Sequence, residues 1–349
     1  MCRLAYHLFF HSGQESLMTL VFGPVHYTEL TMSFPKAKSL WFTATAAAWK
    51  DTIESDFGLE SLPVSTVDCL ADLPLLQNLP ATYDMSIARL SVLHGISSLI
   101  RTHHQSHLIA HSRGFPPREA ILVEDSQHRW LVRAFESLNH QFRLPHFDRT
   151  PPFTMLLLVE LLSLHFCASI DQMELLAGKE GFDEAQAAYS TLQLWVESRE
   201  ARQALWHSGQ ILKVIRDLPV EAITDFHCVA AYHVSLCLWA YGSISAKRMS
   251  NTYSDMGDMG SSLSPDQDVV LDEDETLKTQ RWIASNCGRP VFSNPQDGEV
   301  TRCGTPLLLH ATGDLLEMCV RTIRLKYPSR AVLPPATENL CNLMHALKL

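Results

Sequence analysis

The residues best suited to chemistry lie in RTHHQSHLIAH, 101–111, where His103, His107 and His111 recur every four positions. On one helix that spacing lines a single face with imidazoles, which are ligands for zinc. A structural zinc site needs four rigid donors, and three histidines of one helix cannot close a tetrahedron. The run is read as a polar helix face. Cys228, His233 and Cys237 offer thiol and imidazole donors, but His233 and Cys237 fall one turn apart on an apolar stripe, where packing is expected. His207-Ser208 suggests base and nucleophile by type alone, since adjacent helical residues point about 100° apart. Gly178-Lys179-Glu180 lacks the upstream glycine and the following Ser/Thr of a phosphate loop, and G-x-S-x-G, H-E-x-x-H and G-x-G-x-x-G do not occur. No catalytic, cofactor-binding or metal-ligating residue is assigned, and a metal-dependent helical enzyme built on the 103–111 histidines ranks last.

The elements that would position these groups centre on Ser198–Tyr241. Ala201, Ala204, Leu205, Ser208, Ile211, Leu212 and Ile215 keep one small or apolar stripe on a 3.6-residue helix, which Pro219 stops. Asp225 can cap a second helix that buries Phe226, Val229, Ala230, His233, Cys237, Ala240 and Tyr241. Upstream, Leu40-Trp41-Phe42 precedes a short helix capped by Thr45, with Trp49 and Ile53 on its inner face. Prolines 63, 74 and 80 permit only short helices, and Asp84 caps a long central helix running to about Ala110. Trp130, Ala134, Leu138 and Phe142 mark the next, and Phe153–Ala177 and Asp183–Glu197 lead into the central pair. Leu315, Leu316, Cys319 and Ile323 suggest another helix; Leu340, Leu343, Met344 and Leu347 suggest a terminal one.

No segment alternates with the period of a half-buried strand, so the fold class is all-α: a large multi-helix domain of antiparallel amphipathic helices. Residues 1–26 form an N-terminal extension, 27–242 the main helical domain, 243–276 an acidic mobile linker, and 277–349 a C-terminal segment packing back on the main domain. The linker reading follows from Asp266, Asp268, Asp272, Glu273, Asp274 and Glu275, with no base between Asn251 and Thr276.

Composition narrows the function. Hydrophobic residues make up 46% and charged residues 19% of the 349, the balance of a packed globular chain. A net charge of −10 repels phosphate, which disfavours direct DNA contact. Nine cysteines without a C-x-x-C pair give no zinc-finger spacing and fit reduced thiols. Phe153–Ile170 is the most membrane-like run, yet it contains Glu160 and His165, so burial in protein is expected and no membrane.

With these residues in view, SREARQALWHSGQILKVIRDLPVEAITDFHCVAAYHVSLCLWAYG closely resembles the regulatory (middle homology) domain of fungal zinc-finger transcription factors. It is most similar to the group with two-Cys, two-His fingers ahead of a fungal-specific transcription factor domain. YTELTMSFPKAKSLWFTATAAAWKD (27–51), VVLDEDETLKTQRWIASNCGRPVF (269–292) and LLEMCVRTIRLKYPSRAVLPPATENLCNLMHAL (315–347) match further blocks in the expected order. The resemblance implies a nonenzymatic, nuclear regulator of RNA polymerase II transcription. Its implied partners are transcription machinery or other proteins, with a homodimer also compatible. It implies DNA binding only through a zinc-finger module, and zinc as cofactor only there. Neither is found in this chain, which is expected to be a truncated gene model or a finger-less relative. A metabolite-sensing helical domain or a finger-less co-regulator is the alternative.

Overall fold

The computed structural model describes residues 2–56, 63–111, 118–143, 153–220, 222–253, 268–293, 305–327 and 332–348. Helices dominate. Fifteen α-helices, one 3-10 turn and three short strands are present among the described residues, so the fold is mainly α. The chain divides into two compact units, Met1–Pro151 and Pro152–Leu349.

The first unit is built around α6 (Met85–His111). Asp84 caps it, accepting from the Ile87 amide at 3.3 Å. Ile87, Ala88, Val92, Leu93, Ile96 and Ile100 are all buried along it. The expected extension at 1–26 is largely a helix, α1 (Cys2–Thr19), which packs on α6 through Tyr6, Phe9, Phe10 and Leu17. The helices come close where Gly13 faces His94, since a Cβ on Gly13 would lie 2.4 Å from His94 Nδ1. Before α6 come α2 (Lys38–Trp41), α3 (Ala46–Asp56), α4 (Thr66–Ala71) and α5 (Pro74–Gln77); a box between Ser65 and Asp68 caps α4. Finally α7 (Arg118–Arg143) lays Leu131, Ala134, Phe135 and Leu138 inward. One expectation fails here. Thr45 does accept from the Ala48 amide, but Trp49 is 47% exposed and α3 buries no residue among those described.

His94 is a sensitive point of this packing. Its ring stacks on Phe10 and meets Phe9 edge-on, at centroid distances of 5.8 and 6.1 Å. Its Nδ1 has no hydrogen-bond partner among the described residues. Desolvation pulls its pKa down to about 4, so the neutral ring is the native form. An unfolded histidine titrates near 6.5. As pH falls from about 6.5 to about 4, the unfolded chain takes up a proton that the native ring refuses, and stability is lost. Equilibrium denaturation should show a loss of about 3 kcal/mol over that window from this residue, and His94→Leu should remove this part of the slope.

The second unit wraps α11 (Arg199–Asp217). All seven residues of its expected stripe are buried, Ser198 caps it by accepting from the Ala201 amide at 3.0 Å, and it ends before Pro219. It packs chiefly on α8 (Phe153–Cys167) and on α12 (Asp225–Tyr253). The single helix expected over Phe153–Ala177 is instead two. The chain turns at Ala168-Ser169, and α9 (Ile170–Leu176) departs at 66° from α8. Among the described residues no single helix is long and apolar enough to cross a membrane. The bent pair passes by composition, but Leu157, Leu158, Leu161, Leu162 and Met173 are buried within the protein. α10 (Phe182–Trp195) follows, held in part by Trp195 Nε1 donating to the Cys167 carbonyl at 2.8 Å.

The helical fold carries one small addition, and one further expectation is corrected. A small sheet exists: β1 (Asp268–Val270) pairs in parallel with β2 (Arg289–Phe292), which pairs antiparallel with β3 (Leu307–Leu308). Strands of four residues or fewer cannot display a period-2 pattern, and Pro290 disguises the middle one. The acidic linker expected over 243–276 is also built differently. Its start continues α12 to Tyr253, and 268–276 carries β1 and the buried Asp272; 254–267 lies outside the described residues. After β1 come α13 (Leu277–Ser285), α14 (Thr312–Arg324) and α15 (Pro335–Ala346). On α15 the inward face is Thr337, Cys341 and Met344, and Leu343 is exposed, so the expected stripe is rotated from the real one.

Candidate functional site

The densest polar construction of the second unit runs along one side of α11. Gln210 Nε2 donates to the carbonyls of Leu271 and Glu273 at 2.9 and 2.8 Å. Lys213 pairs with Asp274 at 2.5 Å. Arg216 takes both the carboxylate of Asp272, at 2.5 Å, and its carbonyl, at 2.8 Å. Asp272 Oδ1 also accepts from the Ser293 amide at 2.9 Å, and its Oδ2 accepts from the Ser293 hydroxyl. Gln210, Lys213 and Arg216 recur every three residues, so they share one face of the helix. The acidic run after β1 therefore lies along α11 as a latch. Gly209 permits the approach: a Cβ there would lie 2.1 Å from the Leu271 carbonyl oxygen.

Beside the latch is a cleft of about 380 Å³, lined by Arg216, Leu307, Lys326 and, on α14, Asp314, Glu317, Met318 and Arg321. Three of its charges, Arg216, Lys326 and Glu317, are engaged with the fold. Lys326 Nζ donates to the carbonyls of Arg216 and Leu218 at 2.5 and 2.6 Å, satisfying the C-terminal end of α11 where a cation is favoured. Glu317 is held below the usual carboxylate range, chiefly by its hydrogen bond from Lys348 and in part by His345.

The residues singled out for chemistry are scattered. His207 Nδ1 lies 2.7 Å from Glu160 Oε2, whereas Ser208 Oγ donates to the Ala204 carbonyl at 2.8 Å, so base and hydroxyl face different partners. His233 Nδ1 meets His165 Nε2 at 3.0 Å inside the core. Cys228 Sγ sits 3.6 Å from the Tyr327 and Thr337 hydroxyls. Burial pushes the Cys167, Cys237 and Cys319 thiols up to about 12, so they rest as neutral thiols in the core. Lys179 pairs with Glu174 at 2.6 Å.

In the first unit, His103 is buried against His104 and His128, at ring-centroid distances of 5.9 and 5.7 Å. Desolvation, with these neighbours, lowers its pKa to about 4. His107 instead reaches Glu124 on α7, and the side chain of His111 lies outside the described residues. His103 and His107 thus serve different surroundings. Among the described residues, no group of three or more His, Cys, Asp or Glu is placed to hold a metal ion.

Three proteins share sequence with this chain. A transcription factor of Zymoseptoria tritici is 24% identical over 242 residues, covering 61% of this chain and 24% of that protein. Transcription factor 1 of Elsinoe fawcettii is 31% identical over 146 residues, 41% of this chain and 14% of its own length. Transcription factor PfmaH of Pestalotiopsis fici is 24% identical over 239 residues, 63% of this chain and 24% of that protein. The chain is similar to fungal transcription factors. It spans a quarter or less of the length of these curated relatives. No protein-family model matches the chain, and no solved structure matches it.

Sequence reasoning singled out none of the latch residues, and two of them show why. Asp272 was hidden within a run of acids that reads as solvated linker. Gly209 carried a signal, because glycine inside a helix costs about 1 kcal/mol relative to alanine and calls for a packing reason.

Proposed function

We propose that this chain is the regulatory region of a fungal transcription factor, nonenzymatic and nuclear, acting on RNA polymerase II transcription through protein contacts. The observation that carries this reading is the similarity to three fungal transcription factors, in two of them over more than 60% of the chain. The mainly α architecture, with its polar residues engaged in packing and latching, supports it. DNA contact, and the zinc that supports it, belong in this reading to a finger module outside these residues. The net charge of −10 agrees with that division.

The test is a fusion of the whole chain to a heterologous DNA-binding domain, read on a reporter in fungal cells. The expected result is a severalfold change in output, up or down, relative to the DNA-binding domain alone. An unchanged reporter with a nuclear, stably accumulating fusion would overturn the proposal. Unfused, the chain should bind mixed-sequence duplex at low salt with a Kd around 0.1 mM or weaker; tight binding would show that the charge argument is wrong.

A further inference from the structure

α7 meets α6 in two different ways. Its second half buries Leu131, Ala134, Phe135 and Leu138. Its first half buries none of residues 122–130, and Leu122 and Val123 are 64% and 55% exposed. What this half brings to α6 is a ladder of titratable groups. His128 lies against His103, with ring centroids 5.7 Å apart, and Glu124 pairs with His107. The two rungs are four residues apart on each helix, so both lie on the facing sides of an antiparallel pair.

The rungs differ in their response to acid. A protonated His107 still faces the Glu124 carboxylate, so that rung does not drive the helices apart. His103 is 8% exposed, and a proton placed on it would lie beside His128 and, at 5.9 Å on its own helix, His104. Burial first, then His104 and His128, pull its pKa down to about 4, with Glu124 opposing and His107 adding to the fall. Other charges of the packed elements are turned elsewhere. Arg101 donates to the Ser16 and Leu20 carbonyls, and Asp68 of α4 is held in the cap of that helix. Asp125 and Arg129 of α7 are exposed, as are Glu15 of α1 and Glu29 of the 3-10 turn (Tyr27–Glu29), which also pack on α6.

We propose that residues 118–130 form an acid-released flap, which lies on α6 while His103 is neutral and lifts when His103 takes up a proton, hinging where the buried face of α7 begins at Leu131. A histidine returned to water titrates near 6.5. Each pH unit below about 6.5 therefore favours the lifted state about tenfold, until about 4. At pH 7 His103 is neutral, and the flap is closed. Once lifted, this half is a short helix without tertiary burial, and such helices fray in water. The proposal rests on this helix pair alone and does not require the chain to act in transcription.

The test is amide hydrogen exchange of the full chain at pH 7 and pH 5, with each rate divided by the intrinsic rate at that pH. Protection over 122–130 should be lower than over 131–138 at both pH values, because the flap opens by itself. Over 122–130 it should fall about thirtyfold at pH 5. His103→Gln and His103→Leu, which cannot take up the proton, should reduce that fall to less than about threefold. His94→Leu should leave it intact, because His94 acts only when the whole unit unfolds. Equal protection over 122–130 at the two pH values in the wild type would overturn the proposal, whatever the variants do. A fall that persists in the His103 variants or vanishes in His94→Leu would overturn it too, as would equal protection over 122–130 and 131–138.

Discussion

Gly209→Ala is expected to cost the second unit about 3 kcal/mol, the upper end of what overpacking does. The added Cβ would lie 2.1 Å from the Leu271 carbonyl oxygen and 3.0 Å from the Asp272 amide nitrogen. Both are backbone atoms, so no rotamer change can relieve the clash; the strand-to-latch segment has to lift off α11. Lifting it also weakens the bonds from Gln210 to the Leu271 and Glu273 carbonyls and from Arg216 to Asp272. Thermal melting should fall by about 10 °C. Gly313→Ala on α14 is the control, since nothing lies within 4 Å of the Cβ it would gain. Gly313 is the second residue of α14 and has no positive φ, so that change should be neutral or stabilising by up to about 1 kcal/mol. Equal melting of the two variants would show that the latch does not press on α11.

Asp272→Ala should be at least as damaging, at about 3–5 kcal/mol in urea denaturation. The Asp272 side chain is fully buried, and the Arg216 side chain is 23% exposed. Removing the carboxylate leaves a largely buried guanidinium and takes the acceptor from both the Ser293 amide and hydroxyl. Arg216→Met should cost less, because Asp272 keeps its two bonds from Ser293. The double variant should lose less than the sum of the single losses, since each partner is expensive mainly when the other is left behind. Additive losses would show that the pair contributes no coupling.

The extent to which this fold was legible depended on where the local pattern and the burial coincided. In α11, Ala201 through Ile215 fall on one face, and the packing buries that face, so the helix, its Ser198 cap and its stop before Pro219 could be read directly. The same held for the Asp84 cap of α6. Where burial is all round, as in α8, period carries no information, and the turn at Ala168-Ser169 could not be seen. Trp49 failed for the opposite reason. Its spacing is that of an inward residue, but its side chain is 47% exposed.

The sequence by itself determined the helical class, the main helices and their caps, and the likeness to fungal transcription regulators. The helices and their caps follow from i, i+3, i+4 spacing, capping side chains and proline stops, all of which act within a few residues, whereas the likeness rests on several sequence blocks in a shared order. Tertiary structure alone decided that one acid of the acidic run, Asp272, is buried and held by Arg216, that Gly209 is a point of close approach, and that His207, His233 and Cys228 face separate partners. It also decided that Trp41, Phe42 and Trp49 are exposed. Those outcomes depend on which side chains distant segments bring together. Leu271 is 62 positions from Gly209, and no local spacing encodes such a meeting.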